Sequence, residues 1–316
     1  LLSSHKQMLV IFLFVKGSGI MANKEKSAEM VSENVEVFRC PICHFPVKVF
    51  GLKSLVCPNN HTFDFAKQGY VNMMTRPSSS HYDKKLFEAR QKIIMKSNLY
   101  TFLHEKISEV IGKYLDASHA PAVILDAGCG EGSHLQRILE ECNNDSITAI
   151  GLDISKEGIV MAAKNYQSPI WLVGDLANAP LEDQSYQVVL NVLSPANYME
   201  FKRILTSDGL IIKVVPRSNY LKELREALFI DKNKRDYDND EIVSLFKQHF
   251  HLEKYFKLSY VKELSQTELM NLVQMTPLAW KSEKEQIDTF IKQNSVGVTV
   301  DLDILVGYKR KKRGGK

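Results

Sequence analysis

Val123-Ile124-Leu125-Asp126-Ala127-Gly128-Cys129-Gly130-Glu131-Gly132 is the stretch on which the fold turns. An uninterrupted apolar run ends in an aspartate, and glycines follow at alternate positions. A run of this kind reads as a strand buried on both faces. Glycines then let the backbone turn tightly and come close to a ligand. A helical pattern opens at Ser133. Strand, glycine turn and helix together form the setting in which such a motif signals a nucleotide-like ligand. The spacing is GxGxG rather than GxGxxG, and the loop holds no Lys or Arg but two carboxylates, Asp126 and Glu131. A pyrophosphate would be poorly served there, whereas a ligand with an ammonium and a sulfonium would be well served. This favours S-adenosylmethionine over NAD.

Downstream, strands alternate with helices. Strands are expected at Ile147–Asp153, Ile170–Val173, Tyr186–Val192 and Leu210–Val215. Helices are expected from Ser155 to Asn165, around Ala196–Leu205 and over Leu221–Phe229. Buried strands alternating with helices predict a parallel, doubly wound α/β sheet. Asp153 closes the second strand, 27 residues after Asp126. A carboxylate there can accept from both ribose hydroxyls, and Asp175, after the third strand, can reach the adenine amino group. Asn191 and the Ser194-Pro195 turn lie at the C-terminal end of the fourth strand, where such sheets place chemistry, and are candidates for orienting a substrate. Cys129 has no base beside it and reads as a packing residue.

Upstream, apolar residues from Leu86 to Leu115 recur at helical spacing and predict two helices broken near Ser97-Asn98. Pro77-Ser78-Ser79-Ser80 reads as a linker. Before it stands a second constellation: Cys40-Pro41-Ile42-Cys43, thirteen residues, then Cys57-Pro58-Asn59-Asn60-His61. Two knuckles can turn three thiolates and an imidazole toward one centre, a closed tetrahedral zinc site with no open position for chemistry. His44 competes with His61 only on paper, because it adjoins Cys43. A structural site of this size also serves elsewhere to present a surface to nucleic acid.

Composition sets the limits. Of 316 residues, 44% are hydrophobic and 25% charged, the ordinary globular range, so a large core can be buried. The net charge is +4, but six basic residues crowd into 309–316, and without them the remainder carries −2. The body is therefore not a strongly basic nucleic-acid binder. Five cysteines, three of them beside a histidine, suit metal ligation in a reducing compartment better than disulfides. The apolar run Met8–Val15 is too short to span a bilayer, and residues 1–20 read as an upstream extension. The expected organisation is an extension and loose lead-in over 1–35, a zinc-binding RNA-recognition module over 36–76, a catalytic domain over 77–308 and a basic tail over 309–316.

With both motifs in order, the chain resembles the 23S ribosomal RNA (guanine-N1-)-methyltransferases, a family that includes the tylosin-resistance methyltransferase. The resemblance spans about residues 37–308. Beyond the cysteine knuckles it rests on Ala66-Lys67-Gln68-Gly69-Tyr70-Val71-Asn72, on Glu88-Ala89-Arg90 and on Met275-Thr276-Pro277-Leu278-Ala279-Trp280. It implies a Rossmann-like class I S-adenosylmethionine-dependent methyltransferase with a small N-terminal zinc-binding domain. It implies methylation of guanine N1 in an rRNA hairpin, RNA recognition by the zinc module, a homodimer, a cytoplasmic location and a link to antibiotic resistance. Carried over by position, the cofactor contacts are Gly130 and Glu131 in the loop, Tyr100, and Tyr220, where a histidine is expected. With Asp126, Gly128, Gly132, Asp153 and Asp175 these make up the candidate cofactor set; Cys40, Cys43, Cys57 and His61 are the candidate zinc ligands. The alternative is a methyltransferase acting on another RNA or a small molecule, with a purely structural zinc module.

Overall fold

The computed structural model describes residues 23–77, 82–118, 121–229 and 238–310. Helix α1 (Asn23–Glu33) leads into strands β1 (Lys48–Phe50), β2 (Ser54–Val56) and β3 (Thr62–Asp64), a small antiparallel sheet, and then β4 (Tyr70–Asn72). Helices α2 (Lys84–Met95) and α3 (Thr101–Ser118) follow. The alternating region comprises β5 (Ala122–Ala127), α4 (Ser133–Cys142), β6 (Ile147–Asp153), α5 (Lys156–Asn165), β7 (Ile170–Val173), β8 (Tyr186–Val192), α6 (Tyr198–Ile204), β9 (Leu205–Pro216) and α7 (Lys222–Leu228). The chain closes with α8 (Asp240–His249), β10 (Phe250–Ser265), α9 (Gln266–Met275), α10 (Lys284–Ile291) and β11 (Ser295–Lys309).

Eight strands form one sheet in the order β10-β11-β9-β8-β5-β6-β7-β4. Strands β4 through β9 run parallel to their neighbours, while β11 is antiparallel to both β9 and β10. The sheet is thus mixed, not purely parallel as the alternating pattern suggested. Strand order reverses between β5 and β8, the switch point beyond which α/β sheets open a crevice for ligands. Both faces are buried. Ile124, with the α2–α5 helices, lies in one core; its neighbour Leu125, with α6 and α8, lies in the other. That double burial is why β5 reads as a continuous apolar run.

Two segments differ from the sequence expectation. The polar stretch after residue 22 is not a loose lead-in but α1, held because Ala28 and Val31 are fully buried. The last strand of the zinc module, β4, joins the large sheet beside β7 (Tyr70 opposite Trp171), and Phe38, Leu55 and Phe63 share a core with Leu152 and Leu172. Lys309 ends β11, and Arg310 Nε donates to the Phe250 carbonyl at 3.3 Å, so the basic run is tied down at its start. Residues 1–20, most of the Pro77–Ser80 linker and the tail from 311 lie outside the described residues. Among the described residues, no helix is long and apolar enough to cross a membrane.

Candidate cofactor and zinc sites

The glycine loop leaves β5 at the switch point. Gly128 N–H and Cys129 N–H both donate to the Leu152 carbonyl at the end of β6, at 2.8 and 3.2 Å. Gly130 N–H donates to Asp153 Oδ2 at 2.8 Å, and Ser155 N–H to Asp153 Oδ1 at 2.7 Å. Asp153 therefore locks the loop to the start of α5. A carboxylate oxygen offers two acceptor sites, so each keeps one for a further donor. Gly130 takes φ 61°, and a Cβ there would collide with the Arg90 guanidinium. At Gly132, φ 81°, a Cβ would strike the Trp171 ring. Both positions demand glycine twice over, through backbone conformation and through space.

Around this loop the structure gathers most of the expected residues. Asp126 and Glu131 are buried, and each has one carboxylate oxygen without a hydrogen-bond partner (Oδ1 and Oε1). Burial pushes the Asp126 carboxyl up to about 7; Arg90 opposes this, while Asp153 and Glu131 add to it. Two orphaned acceptors buried away from water are costly unless a donor arrives. A ligand with an ammonium fits that need, so the residues suit S-adenosylmethionine. The buried Cys129 thiol is pushed well above its ordinary value, which keeps it inert and supports the packing role.

Tyr100, just before α3, and Tyr220, after β9, are 120 residues apart yet meet with their hydroxyls 2.6 Å apart. Asp175 stands apart from the acidic cluster: its Oδ1 accepts from Ala177 N–H at 2.8 Å, capping the turn after β7. It remains beside Asp153, because Gly174 N–H donates to the Asp153 carbonyl.

On the other side of the loop stands the turn after β8. Asn191 is fully buried. Its Nδ2 faces the Ala127 carbonyl at 2.8 Å, Ser194 Oγ at 2.6 Å and the Pro195 carbonyl at 3.0 Å. Lys213 Nζ, from β9, donates to Asn191 Oδ1 at 2.5 Å and to the Ser194 carbonyl at 2.6 Å. Ser194 Oγ sits against Gly128, 2.5 Å from where a Cβ would be. Leu193 is held at φ 52°, a left-handed conformation that costs a β-carbon residue of order 1 kcal/mol or more. The amide of Asn191 is thus spent internally: it shapes the turn, and exposed Pro195 is what the turn presents.

Lys213 and Arg90 carried no role in the sequence reading. Each had a signal. Lys213 interrupts the apolar run Leu210–Val215, and Arg90 falls on the buried stripe of α2 with Leu86, Ile93 and Ile94. A charge in a buried stripe needs a partner, and here both have one. Burial lowers the Lys213 ammonium to about 8.

The four candidate zinc ligands converge. Cys40, Cys43, Cys57 and His61 place their donor atoms within 4.8 Å of one another. His61 Nδ1 lies 3.4 Å from both Cys40 Sγ and Cys57 Sγ, and Cys43 Sγ lies 3.6 Å from Cys57 Sγ. Zinc bound to thiolates at about 2.3 Å has tetrahedral edges of roughly 3.7 Å, so the cage is of zinc size. Both knuckles turn through a left-handed residue, His44 at φ 60° and Asn60 at φ 63°, and His44 stays out of the cluster.

A switch-point glycine loop with orphaned carboxylates, in a chain that also carries a three-cysteine, one-histidine cage of zinc size, defines an S-adenosylmethionine-dependent methyltransferase with a zinc-suited N-terminal module. Comparison with known proteins agrees: a sequence profile described as "RlmA, N-terminal" matches residues 38–77, and one described as "Methyltransferase domain" matches 124–209. YxjB of Bacillus subtilis (strain 168), named as a candidate 23S rRNA (guanine-N(1)-)-methyltransferase, is 41% identical over 86% of this chain and 97% of its own length. The 23S rRNA (guanine(748)-N(1))-methyltransferase of Streptomyces fradiae is 31% identical over 80% of this chain and 89% of its own. The chain belongs to the 23S rRNA (guanine-N(1)-)-methyltransferase family.

Proposed function

We propose that the chain methylates N1 of a guanine in a hairpin loop of 23S ribosomal RNA, as a homodimer in the cytoplasm. The sequence relatives, named for this reaction, support the substrate, and five free thiols suit a reducing compartment. When bound, S-adenosylmethionine supplies an electrophilic methyl group on a sulfonium. Asp126 and Glu131 would face its cationic end, Asp153 would accept from the ribose hydroxyls, and Asp175 would serve the adenine. Gly128, Gly130 and Gly132 keep the loop open, and the Tyr100–Tyr220 pair borders the same space. The acceptor base enters over Ser194 and Pro195, held by Asn191 and Lys213. Alignment of donor and acceptor is the main service of such a site. The turn's side chains are committed to one another, so they hold its shape rather than remove the N1 proton.

One observation carries the RNA reading. Phe50 is 75% exposed at the tip of the β1–β2 hairpin, with Lys48 on the same strand face and Lys53 in the turn. Residues 38–77 hold five basic side chains against one acidic, Asp64. An exposed ring between cations suits an unstacked base and its phosphates. The test is methyl transfer to a synthetic rRNA hairpin, with an otherwise identical hairpin already methylated at guanine N1 as control. Incorporation only into the first is expected; equal incorporation into both would contradict the N1 assignment. Sizing by light scattering checks the dimer.

A further inference from the structure

Arg90 lies where the acidic cluster needs explaining. Three carboxylates, Asp126, Glu131 and Asp153, surround one guanidinium. Arg90 Nη1 serves both the Glu131 carboxylate and, at 3.4 Å, the Cys129 carbonyl. No hydrogen bond from its Nε or Nη2 is found among the described residues. Glu131 is sealed, at 0% side-chain exposure, but Arg90 keeps 19%. The guanidinium therefore rests on the glycine loop with Nη1 committed and with Nε and Nη2 left for a further acceptor.

That arrangement is charge-complementary to a zwitterion. An α-amino acid presents an ammonium and a carboxylate a few ångströms apart. The ammonium matches the orphaned oxygens of Asp126 and Glu131. A free carboxylate entering among three acidic side chains would be repelled unless a cation received it, and a guanidinium receives it with paired N–H donors. We propose that Arg90 binds the α-carboxylate at the amino-acid end of the cofactor, so the site selects cofactors that keep that carboxylate. This rests on the S-adenosylmethionine assignment and deepens it. Methyl transfer itself does not require the carboxylate, so Arg90 acts as a specificity residue.

Calorimetric titration of the full chain with S-adenosylhomocysteine and with its decarboxylated counterpart tests this. The two ligands share the adenosine, the sulfur and the amine. Wild type should bind S-adenosylhomocysteine about tenfold to hundredfold more tightly, the range for hydrogen bonds between charged groups. In Arg90→Met the two should fall within about threefold of each other, mainly through loss of affinity for the carboxylate-bearing ligand. Arg90→Lys, which keeps the charge beside Glu131 but not the fork, should sit between them and covers the case in which Arg90→Met does not fold. Wild type binding both ligands equally, or Arg90→Met weakening both by the same factor, would overturn the proposal. Wild type binding neither would instead overturn the cofactor assignment beneath it.

Discussion

Replacing Asp126 with Asn should abolish a pH dependence of cofactor binding that the wild-type geometry imposes. Asp126 is buried, and its carboxyl is pushed up to about 7, chiefly by burial, with Arg90 opposing and Asp153 and Glu131 reinforcing the shift. An arriving ammonium favours the ionised form. Binding therefore strengthens as pH rises through 7 and weakens below it, where the free protein keeps its proton. If the ionised form alone binds, the apparent dissociation constant scales as 1 + 10^(7 − pH). That is a loss of about tenfold between pH 8 and pH 6, or roughly 1.4 kcal/mol. At pH 7 about half a proton should leave on binding. Calorimetry with S-adenosylhomocysteine from pH 6 to 8, in two buffers of different ionisation enthalpy, reads both quantities. Asn cannot titrate, so Asp126→Asn should bind weakly and evenly across this range. A flat wild-type profile, or a slope that survives in Asp126→Asn, would refute the reasoning.

Other perturbations report on other parts of the molecule. Cys40→Ser should lower zinc content below one per chain by atomic absorption, since a hydroxyl replaces a buried thiolate in a four-ligand cage; an unchanged stoichiometry would remove Cys40 from the site. Gly151→Ala should cost about 1–3 kcal/mol by denaturant unfolding, because the new methyl would fall inside the Trp171 ring and 3.0 Å from Cys129 Sγ; an unshifted midpoint would mean that the ring moves freely. Phe50→Ala should weaken binding of an rRNA hairpin by about 1–3 kcal/mol while leaving S-adenosylhomocysteine affinity alone. Unaltered RNA binding would take the hairpin tip out of the interface.

What could be read beforehand depended on how each element is stabilised. Strands β6, β7 and β8 are legible to the residue because both faces are buried, so the apolar run and the strand coincide. Strand β10 gave no such signal: it is an edge strand with most of its residues at least partly exposed, and its pairing with β11 spans the whole α9–α10 excursion. Helix α1 is polar, with only Ser27, Ala28 and Val31 buried, so docking rather than amphipathic pattern defines it. At the site, the glycine loop and the cysteine knuckles are local motifs and could be placed from spacing alone. The partners of Arg90 and Lys213 lie 41 and 22 residues away, so only folding reveals which groups accept from them.

The strand shared between the two modules has a further consequence. Strand β7 is apolar at all four positions, Ile170 to Val173, and β4 pairs along three of them. An unpaired apolar strand edge is a template for joining other chains. The three-residue β4 is the short edge strand that natural sheets use to avoid this. A truncated protein beginning after the zinc ribbon would therefore lose more than the proposed RNA-facing hairpin: it would expose a sticky border, and should aggregate where the full chain stays dispersed.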